Sequence, residues 1–282
     1  MNVESGYIDA LEFTKSHYEN FPVVSFLIPK KIRKDVAIIY WFARTADDIA
    51  DEGFHTPVER LNRLNEFEGR FTELMNGNFA NPFELALYNT IETNNLTTQH
   101  FFNLLKAFRQ DITKNRFGDF NEVLAYCNYS ANPVGRLILE LNDIRDNAAF
   151  DYSDKICTAL QLTNFWQDIA ADFAKGRIYL PQDEMAEFKV VEKVFELREN
   201  NLNLKALLKH NVDRTRKLFI EGKNLTDYLT GRLKYEIKWT ILGGTEILNK
   251  IEANNYNVFQ KRMFLIKRDF LKLFLRSIFR DG

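Results

Sequence analysis

Acidic side chains are crowded at one point of the sequence, FARTADDIADE at residues 42–52, where four carboxylates fall within six residues (Asp47, Asp48, Asp51 and Glu52). The apolar stretch that leads into them, VAIIYWFA, predicts a helix that is buried nearly all round. On such a helix Asp47 and Asp51 share one face, so their charges repel each other. Buried carboxylates persist when they are protonated, paired with cations or bound to a metal ion. Arg44, one turn earlier, offsets only part of this charge.

A second stretch, QLTNFWQDIAADFA at residues 161–174, repeats this chemistry. Asn164, Asp168 and Asp172 recur at i, i+4 and i+8, so they lie on one helical face, again in apolar surroundings that predict burial. If the two helices face each other, six oxygen-bearing side chains line a metal site: Asp47, Asp48, Asp51, Asn164, Asp168 and Asp172. Mg²⁺ prefers oxygen ligands and completes its shell with water and substrate phosphates. The pattern therefore predicts several Mg²⁺ ions bound with a diphosphate, whose departure they assist.

The first acidic stretch also fits a solvated helix end, because Glu52 and Gly53 mark its exit, or a calcium-binding loop. The EF-hand pattern fails at its third position, where Ala50 has no side-chain oxygen. The sequence contains no glycine-rich phosphate loop, which argues against a nucleotide triphosphatase. It also lacks the GxGxxG fingerprint of nicotinamide-dependent enzymes, so we expect no NAD(P)H.

Apolar periodicity and turn-forming residues divide the chain into helices, and no alternating β-type pattern is sustained. Only 12 of the 282 residues are Gly and only 6 are Pro, which also favours helices. We predict an all-α fold in a single domain over 1–282, because no linker separates two halves. The predicted helices are 4–19, 31–52, 57–76, 83–93, 98–112, 119–131, 134–145, 151–174, 188–198, 203–222, 233–252 and 257–280.

Net charge, cysteine content and hydropathy restrict the partners and the cellular compartment that we expect. The net charge of -1 gives no basic footprint, so we expect no nucleic-acid partner. Cys127 and Cys157 have neither metal-type spacing nor a disulfide framework, which favours a reducing compartment. The amino terminus does not resemble a signal peptide, and no uncharged apolar run of about 18 residues predicts a transmembrane helix. We therefore expect a cytoplasmic protein.

The two acidic stretches together resemble the squalene and phytoene synthase family, whose members carry DxxxD on one helix and NxxxDxxxD on another. Here these motifs are Asp47 with Asp51, and Asn164, Asp168 and Asp172. The resemblance runs from His17 through GRIYLP at 176–181 and in outline to the carboxyl terminus. It implies a single all-α isoprenoid-synthase domain around a central apolar cavity. It also implies an enzyme that binds Mg²⁺ and acts on prenyl-type diphosphates.

The resemblance assigns roles to individual residues. Substrate-binding positions of the family are matched by Tyr40, Arg44, Gln161, Arg177 and Tyr179. In relatives the first two contact the diphosphate, the amide lies in the cavity wall, and the last two belong to a basic segment. Tyr126 matches a tyrosine that faces the reacting carbons and either assists ionisation or orients the cation, and its alternative is a structural core tyrosine. With Tyr126, the catalytic candidates are Asp47, Asp51, Asp168 and Asp172.

Two strings, HYENFP at 17–22 and ANPVGR at 131–136, are similar to the bacterial hydroxysqualene synthase branch of hopanoid pathways. That branch ionises presqualene diphosphate and ends the cation with water. The strings add His17, Asn20, Phe21 and Asn132 to the substrate-binding candidates, and a structural role is the alternative for His17. Asn132 either holds the water beside the final cation or caps the helix that begins near Pro133.

Two alternative functions accompany this interpretation. The first is a head-to-head condensing enzyme that makes presqualene diphosphate or phytoene. The second is a non-enzymatic assembly factor of the same fold, which would be marked by lost metal ligands, whereas every ligand position is filled here. The expected partners are the prenyl-type diphosphate and neighbouring enzymes of the pathway.

The last stretch, FQKRMFLIKRDFLKLFLRSIFRDG at residues 259–282, carries seven basic residues against two acids, interleaved with large apolar side chains. This composition suits a helix that lies in the interface of an anionic membrane, and it predicts peripheral contact with the inner face of the membrane. The alternative is a terminal helix packed on the domain, with its Lys and Arg side chains extended toward water.

Overall fold

The computed structural model describes residues 1–16, 29–266 and 269, and over these residues it contains helices and no β-strand. The α-helices of this part are α1 (Val3–Ser16), α2 (Arg33–Asp51), α3 (Pro57–Met75), α4 (Pro82–Thr93), α5 (Gln99–Thr113), α6 (Phe120–Ser130), α7 (Asn132–Glu140), α8 (Asn147–Ala174), α9 (Gln182–Glu187), α10 (Lys193–Glu196), α11 (Leu202–Gly222) and α12 (Gly231–Ala253). Short 3₁₀ helices cover Lys30–Ile32 and Lys223–Asp227. The all-α prediction is confirmed.

Most predicted helices lie within a few residues of an observed one, but the predicted helix 188–198 is wrong. That stretch contains only the four residues of α10, and α9 precedes it. Lys189 and Arg198 adopt left-handed backbone conformations, with φ of 57° and 52°, and an L-residue in this conformation interrupts a right-handed helix.

The predicted terminal helix 257–280 is wrong over its described beginning, because residues 257–266 are not helical. Phe259 is buried, and the carbonyl oxygen of Met263 accepts a hydrogen bond from the side chain of Gln167. Contacts with the rest of the protein thus take the place of helical hydrogen bonds in this segment. Except for Asp269, the remainder of the predicted helix lies outside the described residues.

The chain forms two compact units that are interleaved along the sequence. Unit 1 comprises residues 1–113 and 133–150, and unit 2 comprises residues 114–132 and 151 onward. The single domain predicted over 1–282 stays a prediction.

In unit 1, α2 packs against α1, α3, α4 and α5. The ring of Phe42 on α2 lies 5.0 Å from that of Phe71 on α3 and 5.2 Å, edge to face, from that of Phe101 on α5. Aromatic pairs at such distances contribute about 0.5–1.5 kcal/mol each beyond the area they bury. This aromatic core fixes the helix that carries the first acidic stretch.

In unit 2, α8 and α12 both pack against α11. Trp166 of α8 is fully buried, and its indole N–H donates to the hydroxyl of Thr215 on α11 at 2.9 Å. A Cβ at Gly244 of α12 would stand only 2.4 Å from Cζ of Phe219 on α11, so a larger residue here would displace this buried ring. These contacts fix the part of α8 that carries the second acidic stretch.

Candidate functional site

The first acidic motif lies in the last turns of α2, in unit 1. Phe42, Ala46 and Ala50 recur at i, i+4 and i+8 and are buried, whereas Asp47 and Asp51 are half-buried. The prediction that these carboxylates are buried is therefore wrong. The narrow apolar stripe of α2 covers the core, and the acids lie beside that stripe.

Arg44 holds three of these acids at once. Its guanidinium lies 3.1 Å from Asp47, 2.7 Å from Asp48 and 2.5 Å from Glu52, measured between nitrogen and oxygen. Burial lowers the pKa of Arg44, but the neighbouring carboxylates, Asp48 foremost, outweigh it and raise this pKa above its usual value. Arg44 is therefore a permanent cation inside the first motif.

The phenol of Tyr40 lies one turn before Arg44. Its pKa is raised, chiefly by burial, with Arg44 acting in the opposite direction. The ring centroid of Phe13 on α1 lies 6.4 Å from that of Tyr40. Tyr40 therefore keeps its proton at neutral pH and can donate a hydrogen bond to an anion.

Arg60 of α3 closes the carboxyl end of α2. Its guanidinium donates to the carbonyl oxygens of Ala50, of Gly53 at 2.9 Å and of His55 at 3.1 Å. Gly53 has a φ of 81°, which glycine adopts without strain. A cation at this helix end also opposes the negative end of the helix dipole. The turn after the first motif is thereby fixed.

The second acidic motif lies on α8, in unit 2. Asn164 is exposed, and Asp168 and Asp172 are half-buried, so the prediction that these side chains are buried is wrong. The burial of α8 falls on residues such as Leu162, and on Trp166. Arg262 binds Asp168 through two parallel hydrogen bonds, 2.5 Å from Nε to Oδ1 and 2.8 Å from Nη2 to Oδ2.

Four aromatic rings cluster near this motif. Tyr179 stacks on Phe165 with ring centroids 3.7 Å apart and planes 6° apart. Tyr126, which is 5% exposed, lies 5.8 Å from Tyr179 and 6.0 Å from Phe165, and Phe117 lies 5.7 Å from Tyr126. Ring faces attract cations, so the cluster suits a positively charged carbon as well as a structural core.

A small cleft in unit 2 brings an acidic, a basic and several aromatic side chains together. It is lined by Asp172, by Arg177 and by the rings of Phe165 and Tyr179, among other residues. A carboxylate can hold a divalent cation, a guanidinium binds phosphate oxygens, and aromatic faces accommodate a carbocation. The cleft therefore places a carboxylate, a guanidinium and aromatic rings beside one another, around a space of about one water molecule.

The segment with Arg177 and Tyr179 is attached to the loop before α6. The N–H of Ile178 donates to the carbonyl of Asn115 at 3.0 Å. The guanidinium of Arg116 donates to the carbonyl of Gly176 at 2.5 Å and forms a bidentate pair with Glu192. Arg116 thus positions the turn from which Arg177 extends.

Asn132, the first residue of α7, is 3% exposed and lies in a buried polar chain of unit 2. Its Nδ2 donates to Oδ1 of Asn128 at 2.8 Å, and its Oδ1 accepts from the Thr158 hydroxyl at 3.0 Å. The amide therefore joins α6 to α8 through side chains. Gln161, the other predicted amide, is half-buried on α8.

Several predicted residues are not described. His17, Asn20 and Phe21 lie outside the described residues, as do Lys267, Arg268, Lys272, Arg276 and Arg280 of the basic stretch. None of the α-helices in the described part is long and apolar enough to cross a membrane.

The acidic residues fit a magnesium site. Within residues 1–16, 29–266 and 269, no three acidic, histidine or cysteine side chains stand close enough together to form a metal site by themselves. Mg²⁺ takes one or two carboxylates and obtains its other oxygens from water and phosphate. Asp47 and Asp51 offer such carboxylates in unit 1, and Asp168 and Asp172 offer them in unit 2.

Sequence reasoning missed the contact of Arg262 with Asp168 and the positioning roles of Arg60 and Arg116. Arg262 is separated from Asp168 by 94 residues, so no helical periodicity connects them. The sequence signal for this contact is the basic composition of the last stretch, which by itself predicts a membrane-facing or packed helix.

Comparison with known proteins identifies similar chains. The sequence model of the family described as squalene/phytoene synthase matches residues 14–269. A hydroxysqualene synthase from Zymomonas mobilis is 38% identical over 180 residues, which cover 62% of this chain and 59% of that protein. A chloroplastic phytoene synthase from Narcissus pseudonarcissus is 27% identical over 262 residues, covering 91% of this chain and 62% of that protein. The crystal structure of squalene synthase HpnC from Alicyclobacillus acidocaldarius has a TM-score of 0.85 at 34% identity, covering 90% of this chain and 96% of that chain.

Proposed function

Because the chain belongs to the squalene/phytoene synthase family, we propose that it is a Mg²⁺-dependent hydroxysqualene synthase of squalene and hopanoid biosynthesis. In this reaction presqualene diphosphate loses its diphosphate, rearranges and gains water. The observation that carries the proposal is the cleft of unit 2, in which Asp172 and Arg177 adjoin the rings of Phe165 and Tyr179. The similarity to the hydroxysqualene synthase from Zymomonas mobilis supports the choice of substrate.

Each unit offers cationic groups for phosphate oxygens and carboxylates for Mg²⁺. In unit 2, Arg177 offers a guanidinium, whose planar N–H groups match phosphate oxygens. In unit 1, Arg44 and Tyr40 are the proposed donors to phosphate. In unit 2, Asp168 and Asp172 would hold Mg²⁺, which when bound supplies Lewis-acid assistance to the departing diphosphate. In unit 1, Asp47 and Asp51 are the proposed Mg²⁺ ligands.

The chemical step is heterolysis of the carbon–oxygen bond. The electron pair leaves with the diphosphate, and the carbon skeleton becomes a cation. Rings of the aromatic cluster stabilise that cation by about 0.5–2 kcal/mol for each well-placed face. The low exposure of Tyr126 and Tyr179 keeps bulk water away from it. One water then adds to the rearranged cation and releases a proton, so that presqualene diphosphate and water give hydroxysqualene and diphosphate.

Product analysis tests this function. The purified protein is incubated with Mg²⁺ and presqualene diphosphate, and separately with farnesyl diphosphate, and the products are identified by mass. We expect hydroxysqualene from presqualene diphosphate and no turnover of farnesyl diphosphate. Asp172→Asn, which keeps the size of the side chain and removes its charge, is the matched control and should be inactive.

A head-to-head condensing enzyme is the second candidate, supported by the similarity to the phytoene synthase from Narcissus pseudonarcissus over most of the chain. Formation of presqualene diphosphate or phytoene from two prenyl diphosphates would favour it and contradict the hydroxysqualene synthase. A folded protein that turns over neither substrate with Mg²⁺ present would favour the non-enzymatic assembly factor.

A further inference from the structure

Residues 258–266, which we call the strap, are seated on unit 2. At one end, the ring of Phe259 packs edge-on against Phe195 with centroids 6.4 Å apart. At the other end, a Cβ on Gly243 of α12 would stand at van der Waals contact, 3.4 Å, from Cδ1 of Leu265, so the strap lies close against α12 there. The strap is thus anchored on both sides of its middle residues.

The middle of the strap contacts two consecutive residues of α8. The side-chain amide of Gln167 donates to the carbonyl oxygen of Met263. The guanidinium of Arg262 engages both carboxylate oxygens of Asp168, at 2.5 and 2.8 Å. These hydrogen bonds raise the pKa of Arg262 above its usual value, although its burial acts in the opposite direction. Arg262 is therefore a fixed cation on the second acidic motif.

Asp168 cannot keep its complete contact with Arg262 while its carboxylate also binds a metal ion. Mg²⁺ binds carboxylate oxygens at about 2.0–2.1 Å and demands near-octahedral geometry, so it competes with the guanidinium for the oxygen that it binds. A divalent ion at that distance also repels the guanidinium. The Arg262 side chain is 53% exposed and that of Asp168 is 22% exposed, so solvent screens the pair and it is weak enough to open.

We propose that Arg262 is a latch that neutralises Asp168 in the metal-free protein and releases it when a divalent ion binds, so that metal occupancy and detachment of the strap are coupled. The latch rests on the proposed function, because it takes Asp168 as a metal ligand. Coupling between two sites is reciprocal. The strap therefore weakens metal binding by the same factor by which the metal weakens attachment of the strap.

Metal titration tests the latch without any turnover. Mn²⁺ alone is titrated into the wild-type protein and into Arg262→Gln, and free Mn²⁺ is measured by its electron paramagnetic resonance signal. We expect about 3- to 10-fold tighter binding by the variant, the range that corresponds to a bidentate but half-exposed ion pair. Arg216→Gln is the matched control: it removes a guanidinium paired with Glu252 at 2.6 Å elsewhere in unit 2 and should leave the affinity unchanged.

Arg262→Lys separates the latch from the general effect of a positive charge. Lysine keeps the charge but lacks the planar fork that engages both oxygens. The latch predicts an affinity between those of the wild type and Arg262→Gln. An effect of charge alone would leave Arg262→Lys equal to the wild type and would overturn the bidentate latch.

Hydrogen exchange measured by mass spectrometry gives the reciprocal readout. Mn²⁺ should increase amide exchange in the strap of the wild-type protein, and Asp168→Asn should show increased exchange without the metal. Equal Mn²⁺ affinity of the wild type and Arg262→Gln, binding by neither, or a strap insensitive to the metal would each overturn the proposal. Failure to convert presqualene diphosphate would overturn the proposed function instead, because the Mn²⁺ titration requires no substrate.

Discussion

Replacement of Arg44 by glutamine tests whether the first acidic motif is a site of accumulated negative charge. Arg44 shares its guanidinium among Asp47, Asp48 and Glu52 at 3.1, 2.7 and 2.5 Å. Glutamine removes the positive charge and leaves these carboxylates in the last turn of α2 and just beyond it. There they also face the negative end of the helix dipole, which disfavours acids.

The exposure of the partners sets the size of the effect. The side chains of the three acids are 42%, 29% and 63% exposed, against 23% for Arg44. Partly exposed ion pairs contribute about 0.3–1 kcal/mol each. The unfavourable interaction of the acids with the helix dipole is present in both proteins and does not enter the difference. We expect Arg44→Gln to lower the free energy of unfolding by about 1–3 kcal/mol at low ionic strength.

Urea unfolding followed by circular dichroism measures this change. The loss should shrink in 1 M NaCl, where the screening length falls to about 3 Å. Mg²⁺ should restore more stability to Arg44→Gln than to the wild type at equal ionic strength, because the variant presents uncompensated carboxylates to the ion. Arg109→Gln is the matched control in unit 1, since Arg109 pairs with Glu68 and lies 2.8 Å from Asn65, away from the acidic motif.

The reasoning would be refuted by an Arg44→Gln protein as stable as the wild type at low salt. It would also be refuted if Mg²⁺ stabilised the wild type, Arg44→Gln and Arg109→Gln equally. In that case the acids of α2 would be a solvated helix end, which the sequence by itself also allows.

Three further outcomes are expected. Asp168→Asn should lower turnover of presqualene diphosphate by about 10²-fold or more with an unchanged circular dichroism spectrum, because a metal ligand is lost and the fold is not. The pKa of Glu140 is lowered because hydrogen bonds from His100 and Thr97 outweigh its burial, so the stability that it contributes is present above the unfolded pKa. That stability is lost as pH falls through the folded pKa. In Glu140→Gln, the free energy of unfolding should therefore fall less steeply as the pH is lowered. Asn132→Leu should lower the free energy of unfolding by about 1–3 kcal/mol, because it leaves buried polar partners unsatisfied, and should shift products from the alcohol toward alkenes if the amide also positions water. An unchanged product ratio in that variant would assign Asn132 a structural role alone.

Local sequence patterns predicted the helices and the grouping of the acids, because both depend on neighbours within one or two turns. Pro57 and Pro82 mark the first residues of α3 and α4, as expected for proline at a helix start. Local patterns did not reveal that the acids lie beside the buried stripe of α2, because that depends on which side its neighbours occupy. They also could not reveal the ion pair of Arg262 with Asp168, since tertiary packing alone brings those residues together.

The path of the chain through its two units has a consequence for synthesis. Unit 1 needs residues 133–150, and these follow residues 114–132, which belong to unit 2. A ribosome releases the chain from its amino terminus, and domains generally fold as they emerge. Unit 1 therefore cannot be completed until residues 114–132, the first piece of unit 2, have left the ribosome. That piece in turn has no complete unit to fold with until residue 151 and those that follow are synthesised. A stop codon after residue 150 would leave the whole sequence of unit 1 but only the first piece of unit 2, whereas one after any helix from α2 to α7 would leave both units incomplete.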